Sequence, residues 1–200
     1  MTLRIGFLLF NDAEELDFVG PWEVFTMLQK VEPETCEVFL VSERGREVRC
    51  AKGMRVLADY SFADAPQADV IVIPGGQGTR TEDKNPVILE FLRKQAKQAE
   101  LMTSVCTGAF LLQAIGLLEG KKATTHWGSI ERLGERGVEV VEFTRFVDEG
   151  AVITAAGVSA GIDMSLHIVG RLWSPELARK VQKAMEYFPE PPYGDGPLRW

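Results

Sequence analysis

The sequence predicts an α/β protein in which a mostly parallel sheet is covered by helices on both faces. Continuous apolar runs, at residues 5–10 and 69–73 among others, are typical of strands that are buried on both sides. Helical segments alternate with these runs along the chain, and such alternation implies right-handed crossovers in a doubly wound sheet. A third observation is a strand that ends at Cys106 and turns directly into a helix, as in a nucleophile elbow.

The elements of the first half follow from apolar runs and turn residues. After the strand at residues 5–10, a carboxylate-rich loop is predicted from Asp12 to Val19. Gly20-Pro21 then opens a helix over residues 22–30, because proline in the first turn of a helix loses no hydrogen bond. A strand is predicted at residues 37–42. Residues 48–57 are predicted to form β-structure at a sheet edge, where the turn at Lys52-Gly53 allows a hairpin. The strand at residues 69–73 and an amphipathic helix at residues 86–98 complete this half.

In the second half, the strand that leads into Cys106 is followed by an almost wholly apolar helix at residues 108–118. Ser129 caps a short predicted helix that stops at Gly137. Residues 189–200 show no periodicity, so we expect an extended tail with Trp200 packed on a neighbour. The remaining predicted elements are short strands at residues 138–143, 145–147 and 151–154, and helices at residues 162–173 and 174–187.

Composition bounds the class of protein. With 46% hydrophobic residues and no linker, the 200 residues predict one domain over residues 1–200. The formal net charge of −7 argues against a nucleic-acid or membrane-surface partner, since both would repel an acidic surface. The three cysteines form no C-x-x-C pair, and the N-terminus shows neither a membrane span nor a signal-peptide pattern. We therefore expect a cytoplasmic protein.

No nucleotide or metal cofactor is supported by the sequence. It contains no G-x-G-x-x-G after a strand and no G-x-x-x-x-G-K-[ST], and the two histidines lack the spacing of metal ligands. His167 lies among apolar residues of a helix and is interpreted as a packed histidine. His126 lies about twenty residues after Cys106, so its ring either reaches the site or packs against Trp127.

Cys106 and the Pro74-Gly75-Gly76 turn are the candidate site residues that the pattern itself provides. Both follow strands, and ligands of an open parallel sheet bind beyond the carboxyl ends of its strands. A helix N-terminus carries unpaired N–H groups, so it should favour the reactive thiolate of Cys106; the alternative is a small buried apolar residue. We expect the uncovered amides at Gly75 and Gly76 to bind substrate, with those of Gly76 and Thr107 converging above the sulfur as an oxyanion site.

Five segments of the chain carry a family pattern. They are L-D-F-V-G-P-W-E-V-F at residues 16–25, I-P-G-G at residues 73–76, S-V-C-T-G-A at residues 104–109, T-T-H-W at residues 124–127, and the helix entry at residues 157–166. In this order, and over nearly the whole chain, they resemble the ThiJ/PfpI superfamily of class I glutamine amidotransferase-like proteins, and within it the isonitrile hydratases. The resemblance implies a flavodoxin-like three-layer α/β/α sandwich.

The resemblance also implies roles for three residues. In isonitrile hydratases the elbow cysteine is the nucleophile, an aspartate before the Gly-Pro helix is the acid/base, and the threonine after the cysteine contributes to the site. These roles map onto Cys106, Asp17 and Thr107. The implied reaction converts a small organic isonitrile to an N-substituted formamide through a thioimidate, which needs a nucleophile and a nearby acid. The alternative for Asp17 is a loop carboxylate that caps the following helix.

Two other functions stay open. A non-catalytic redox or metabolite sensor would use Cys106 as the thiolate that peroxide oxidises. Another ThiJ/PfpI-type hydrolase or deglycase is the second alternative, although those branches usually carry histidine where this chain has Thr107.

The resemblance further implies a homodimer, and the first helix, which is rich in large apolar residues, is the candidate interface.

Overall fold

The computed structural model describes residues 2–193, and its strands and helices alternate along the chain. The strands are β1 (Leu3–Leu9), β2 (Cys36–Ser42), β3 (Glu47–Arg49), β4 (Arg55–Leu57), β5 (Tyr60–Ser61), β6 (Val70–Ile73), β7 (Leu101–Val105), β8 (Lys122–Ala123), β9 (Glu139–Val140), β10 (Phe146–Asp148) and β11 (Val152–Ala155). The helices are α1 (Glu15–Val31), α2 (Thr79–Glu82), α3 (Pro86–Ala96), α4 (Ala109–Ala114), α5 (Ile130–Gly134), α6 (Ala160–Leu172) and α7 (Pro175–Ala184).

A seven-stranded sheet forms the middle layer, in the order β10-β11-β7-β6-β1-β2-β5. All of its neighbouring pairs are parallel except β10 with β11. Every residue of β6 and β7 is buried, which is the reason for their continuous apolar sequences. The predicted mostly parallel α/β sandwich is therefore confirmed.

Two apolar cores lie on opposite faces of this sheet. Successive side chains of a strand point to opposite faces, so Phe7 belongs to one core and Leu8 to the other. The core of Phe7 also contains side chains of α1, α6 and α7, which pack against one another. The core of Leu8 is covered by α3, α4 and α5. The parallel strands β1, β6, β7 and β11 end at one edge, where the candidate site residues follow them.

Helix α1 begins earlier than predicted. Pro21 lies inside the helix and not in its first turn, so the prediction of a loop up to Val19 is wrong. A proline at this depth removes one backbone hydrogen bond, and burial of Val24, Phe25 and Leu28 in the core compensates for that loss. As a consequence, Asp17 lies in the first turn of a helix rather than in a loop.

Several other elements differ from prediction in extent or placement. The hairpin of β3 and β4 exists, but it forms a separate two-stranded sheet, and β5 occupies the sheet edge instead. Helix α4 ends at Ala114, because Gly116 takes a φ of +83° that a helix does not allow. Trp200 and the end of the predicted tail lie outside the described residues. Within residues 2–193, no helix is long and apolar enough to cross a membrane.

Candidate active site

Cys106 lies at the sharp turn between β7 and α4, as the sequence predicts. Its φ of +57° is in the left-handed region, which strains a residue that carries a side chain by about 1–3 kcal/mol. Two hydrogen bonds hold the strained backbone: the Cys106 N–H donates to the Ala156 carbonyl at 3.0 Å, and the Thr125 hydroxyl donates to the Cys106 carbonyl at 2.7 Å. Gly108 lets the turn pack closely, since a side chain there would collide with the Ile73 carbonyl.

Asp17 faces Cys106 from the first turn of α1 and is completely buried. Its Oδ2 accepts a hydrogen bond from the Gly75 N–H at 2.8 Å, and the carboxylate also accepts one from the Cys106 thiol. Its Oδ1 has no hydrogen-bond partner within the described part of the chain. Burial raises the pKa of Asp17 to about 7; the Gly75 hydrogen bond opposes this rise, and the charge of Glu14 adds to it. The carboxyl group therefore exchanges its proton near neutral pH.

The Cys106 thiol is only 6% exposed, and its pKa is raised, to about 12. Burial is the main cause and the negative charge of Asp17 is the second, while the N–H groups of Thr107 and Val158 lower the pKa by binding the sulfur. The expectation that the helix N-terminus favours the thiolate of Cys106 is not met, because these two causes outweigh it. A helix end contributes roughly 0.3–1 kcal/mol, and this is less than the penalty for burying a charge beside a carboxylate. The thiol of Cys106 therefore keeps its proton at rest, next to a base that can take it.

Thr107 connects the elbow to the Gly75-Gly76 turn. Its hydroxyl accepts a hydrogen bond from the Gly76 N–H at 3.0 Å, and it lies 3.2 Å from the Gly76 carbonyl oxygen. The hydroxyl of Thr79 is 3.1 Å away and also donates to the Gly76 carbonyl. The Thr107 side chain is thus the point where the elbow, the glycine turn and α2 meet.

Gly75 and Gly76 lie at the site but donate their amides within the protein, to Asp17 and Thr107. A Cβ at Gly75 would come within 2.9 Å of the Asp17 carboxylate and 2.5 Å of the Thr107 nitrogen, so only glycine allows this close approach. The expected convergence of the Gly76 and Thr107 amides above the sulfur is not seen, because Gly76 is engaged by the threonine hydroxyl. The two amides that reach the sulfur are those of Thr107 and Val158.

Val158 and Thr125 are site residues that the sequence analysis missed. Val158 follows β11 and has a φ of +43°, an unusual value for a β-branched residue. Backbone donors leave no side-chain signature, and the available signal was the small-residue run Gly157-Val158-Ser159 after a strand. The signal for Thr125 was its place in the family segment at residues 124–127.

The two histidines have different environments. His126 Nδ1 accepts a hydrogen bond from the Gly128 N–H at 3.1 Å, and its ring lies 5.4 Å from that of Trp127. The ring also packs on Gly157, where a Cβ would come within 2.7 Å of it. His167 is paired with Asp148 at 2.7 Å, away from Cys106. Within residues 2–193, no group of three or more His, Cys, Asp or Glu side chains is arranged to hold a metal ion.

Comparisons with known proteins agree with this arrangement of elements. A model of the DJ-1/PfpI family matches residues 3–171. The chain is 40% identical to the isonitrile hydratase of Pseudomonas putida over 98% of this chain and 83% of the hydratase. It is 29% identical to the HTH-type transcriptional regulator GbdR of Pseudomonas aeruginosa over 92% of this chain, but it spans only 50% of that regulator. The crystal structure of a ThiJ/PfpI family protein from Pseudomonas syringae superposes with a TM-score of 0.90 at 31% identity, covering 98% of this chain and 79% of that one.

Proposed function

The chain belongs to the DJ-1/PfpI family, and we propose that it is a cysteine-dependent hydratase that converts small organic isonitriles to N-substituted formamides. The observation that carries the proposal is the buried pair of Asp17 and Cys106, in which a carboxyl group with a pKa of about 7 is hydrogen-bonded to a thiol. The similarity to an isonitrile hydratase over almost the whole chain supports the same reaction. In this proposal no cofactor takes part.

The first half-reaction joins the thiol to the isonitrile. Asp17 takes the thiol proton as the sulfur of Cys106 attacks the terminal isonitrile carbon, so a C–S bond forms. The electron pair left on that carbon then takes the proton from Asp17. The product is a thioimidate, R–N=CH–S–Cys106, and the carboxylate is restored. One buried carboxyl group with a pKa near 7 is suited to both transfers, because it neither holds nor releases the proton too strongly.

The second half-reaction uses water. Asp17 removes a proton from water as the water oxygen adds to the thioimidate carbon, and Asp17 then passes this proton to the imine nitrogen. The tetrahedral adduct, R–NH–CH(OH)–S–Cys106, collapses to R–NH–CHO as the C–S bond breaks. Asp17 takes the hydroxyl proton of the adduct and returns it to the sulfur. The N–H groups of Thr107 and Val158 stabilise the sulfur as it gains negative charge. The sum is one isonitrile plus one water giving one formamide.

Thr107, Gly75 and Gly76 have positioning roles in this proposal. The Thr107 hydroxyl holds the Gly76 amide, and the adjacent Gly75 amide holds the Asp17 carboxylate. Because the amides of both glycines donate these hydrogen bonds within the protein, the glycines do not take the direct substrate-binding role that was expected for them. The Thr107 hydroxyl also hydrogen-bonds the Cys106 sulfur. Loss of the hydroxyl should therefore act through the positions of Asp17 and of the sulfur rather than through contact with substrate.

The proposed function is tested by measuring formamide production from a simple alkyl or aryl isonitrile. The wild type should complete many turnovers, Cys106→Ala should complete none, and Asp17→Asn should be slower by about 10²–10⁴-fold. Cys36→Ala is the matched control, because Cys36 is buried in the core beneath α1 and should not affect the chemistry. Full turnover by Cys106→Ala would remove the covalent mechanism.

The alternatives are less well supported. A peroxide sensor needs a thiolate at rest, whereas burial and the negative charge of Asp17 raise the pKa of the Cys106 thiol and so disfavour a resting thiolate. Hydrolase and deglycase branches usually place a histidine directly after the nucleophile, and this chain has Thr107 there. A wild-type protein that turns over no isonitrile but oxidises at Cys106 with peroxide would favour the sensor.

A cytoplasmic homodimer completes the proposal. The apolar richness of α1 no longer supports a subunit interface, because Val24, Phe25 and Leu28 are buried in the chain's own core and Trp22 packs on Phe7. The dimer therefore rests on the family resemblance. Sedimentation at micromolar concentration should give about twice the 22.2 kDa chain mass, and a fully active monomer would exclude it.

A further inference from the structure

A cavity of about 700 Å³ lies between the loop after β8 and the loop after β11. We propose that this cavity binds the organic group of the substrate and that Phe143 makes the site selective for flat, apolar groups such as aryl rings. The inference rests on the proposed isonitrile hydratase function and adds the substrate class. We call the cavity the aromatic pocket; its wall includes Thr125, His126, Trp127, Phe143, Ala156 and Val158.

The aromatic pocket lies next to Cys106, because residues of its wall are hydrogen-bonded to the cysteine. Three wall residues bond directly to the cysteine: Thr125 through its hydroxyl, Ala156 through its carbonyl, and Val158 through its N–H. The Val158 amide binds the sulfur itself. A substrate whose isonitrile carbon reaches this sulfur therefore has the aromatic pocket beside it for the rest of the molecule.

The wall of the aromatic pocket includes two aromatic rings that are largely exposed. The side chains of Trp127 and Phe143 are 61% and 72% exposed, large values for such residues. Rings of this kind gain free energy by stacking on another flat group and leaving water. The His126 ring lies beside Trp127 and extends the same surface. The volume is in the range of pockets that enclose small organic ligands.

Phe143 is held in its place by an unusual backbone. Its φ of +53° is a left-handed value that is rare for a bulky residue and costs about 1–3 kcal/mol. Such strain occurs preferentially where a side chain must be presented to a ligand. The exposed ring makes no core contact that would explain the strain, since Phe143 belongs to neither apolar core among the described residues. The ring therefore points to a binding function.

The charged residues of the aromatic pocket further limit which organic groups of the substrate it can bind. Glu131 and Glu142 line the aromatic pocket, whereas the Arg145 guanidinium is paired with Asp163 at 2.6 Å and bonded to Ser159. The remaining negative charge disfavours an anionic substituent. We therefore expect neutral aryl isonitriles to be preferred over isonitriles that carry a carboxylate.

The test compares kcat/KM for phenyl isonitrile and methyl isonitrile. The wild type should prefer phenyl isonitrile by about tenfold or more, since burying an additional apolar group contributes that much discrimination. Phe143→Ala should lose most of this preference through a higher KM for phenyl isonitrile, and its kcat/KM for methyl isonitrile should fall by a smaller factor. Phe143→Tyr keeps the ring and should retain the preference. 4-Carboxyphenyl isonitrile should be turned over about tenfold less well than phenyl isonitrile.

Phe188→Ala is the matched control, because Phe188 is 62% exposed and does not line the aromatic pocket. It should behave as wild type with both substrates. Equal wild-type kcat/KM values, or an equal effect of Phe143→Ala on both substrates, would overturn the assignment of the aromatic pocket and leave the hydratase function standing. Turnover of no isonitrile would overturn both. If Phe143→Ala changes the mass of the oligomer in sedimentation but leaves the selectivity between the two isonitriles unchanged, the ring belongs to a subunit interface. This result would also overturn the inference.

Discussion

Replacing Asp17 by asparagine should stabilise the protein at alkaline pH while it removes activity. Burial raises the pKa of this carboxyl group from its ordinary value of 3.8 to about 7, so the folded protein keeps the proton over a pH range in which the unfolded chain has lost it. The contribution of Asp17 to stability is therefore fully present below pH 3.8 and is lost progressively as the pH rises through about 7. The full loss is about 4 kcal/mol, since each pKa unit corresponds to about 1.4 kcal/mol.

The assay is urea unfolding at pH 5 and pH 8. Over this interval the wild type should lose about 2.5 kcal/mol more unfolding free energy than Asp17→Asn, because asparagine does not titrate. Asparagine keeps an oxygen that accepts the Gly75 N–H, so the local geometry is preserved. The asparagine side chain cannot accept the thiol proton of Cys106, so isonitrile turnover should fall. The loss of activity and the gain in stability should therefore occur in the same Asp17→Asn protein.

Asp12→Asn is the control for this experiment. Asp12 is exposed, lies five residues away, and has a φ of +60° that asparagine tolerates. Its unfolding free energy should change with pH as the wild type's does. The reasoning is refuted when Asp17→Asn and the wild type lose the same stability between pH 5 and pH 8, or when Asp17→Asn retains full turnover.

Four further predictions follow from the same contacts. Thr107→Val should lower the free energy of unfolding by about 1 kcal/mol and kcat by about tenfold or more, and Thr107→Ser should restore both; an unaffected Thr107→Val contradicts the positioning role. A plot of log kcat/KM against pH should rise to a plateau above about pH 7 as Asp17 loses its proton, and Asp17→Asn should lack this rise. Iodoacetamide should label Cys106 in the native protein before the other two cysteines, because Asp17 lies beside its thiol and can take the proton, and because Cys106 is the most exposed of the three; peptide mapping that finds earlier labelling of either other cysteine contradicts the activated pair. Arg136→Met should destabilise the protein by about 3 kcal/mol in urea, because the buried Asp83 carboxylate loses its cation, and a loss under about 1 kcal/mol would show that water replaces the cation.

Much of the fold was predictable from the sequence because its signals are local. The apolar runs of β1, β6 and β7 are continuous, since both faces of each strand are covered, and β-branched residues favour the extended backbone. The turn at Cys106 was visible as a strand followed at once by small residues and an apolar helix. The start of α1 was misplaced because Pro21 looks locally like a helix opener.

The roles of the site residues were less predictable from the chain itself. Asp17 was singled out by a family pattern and not by spacing, since it lies 89 positions before Cys106 in a stretch with several carboxylates. The contribution of Val158 is a backbone N–H, a group that every residue except proline carries. The aromatic pocket joins segments that are far apart in sequence, and no local pattern brings Phe143 beside Trp127.

The sequence by itself determined the alternation of strands and helices, the elbow at Cys106, and the family to which the chain belongs, because each depends on short-range pattern. Only the tertiary structure decided the direction of the two pKa shifts. A helix N-terminus alone would lower the pKa of the Cys106 thiol, but α1 and the loop after β11 close over the sulfur and exclude water. They also place the Asp17 carboxylate against it. Desolvation and charge proximity depend on what packs around a group, so the chemical state of this pair is a property of the folded chain.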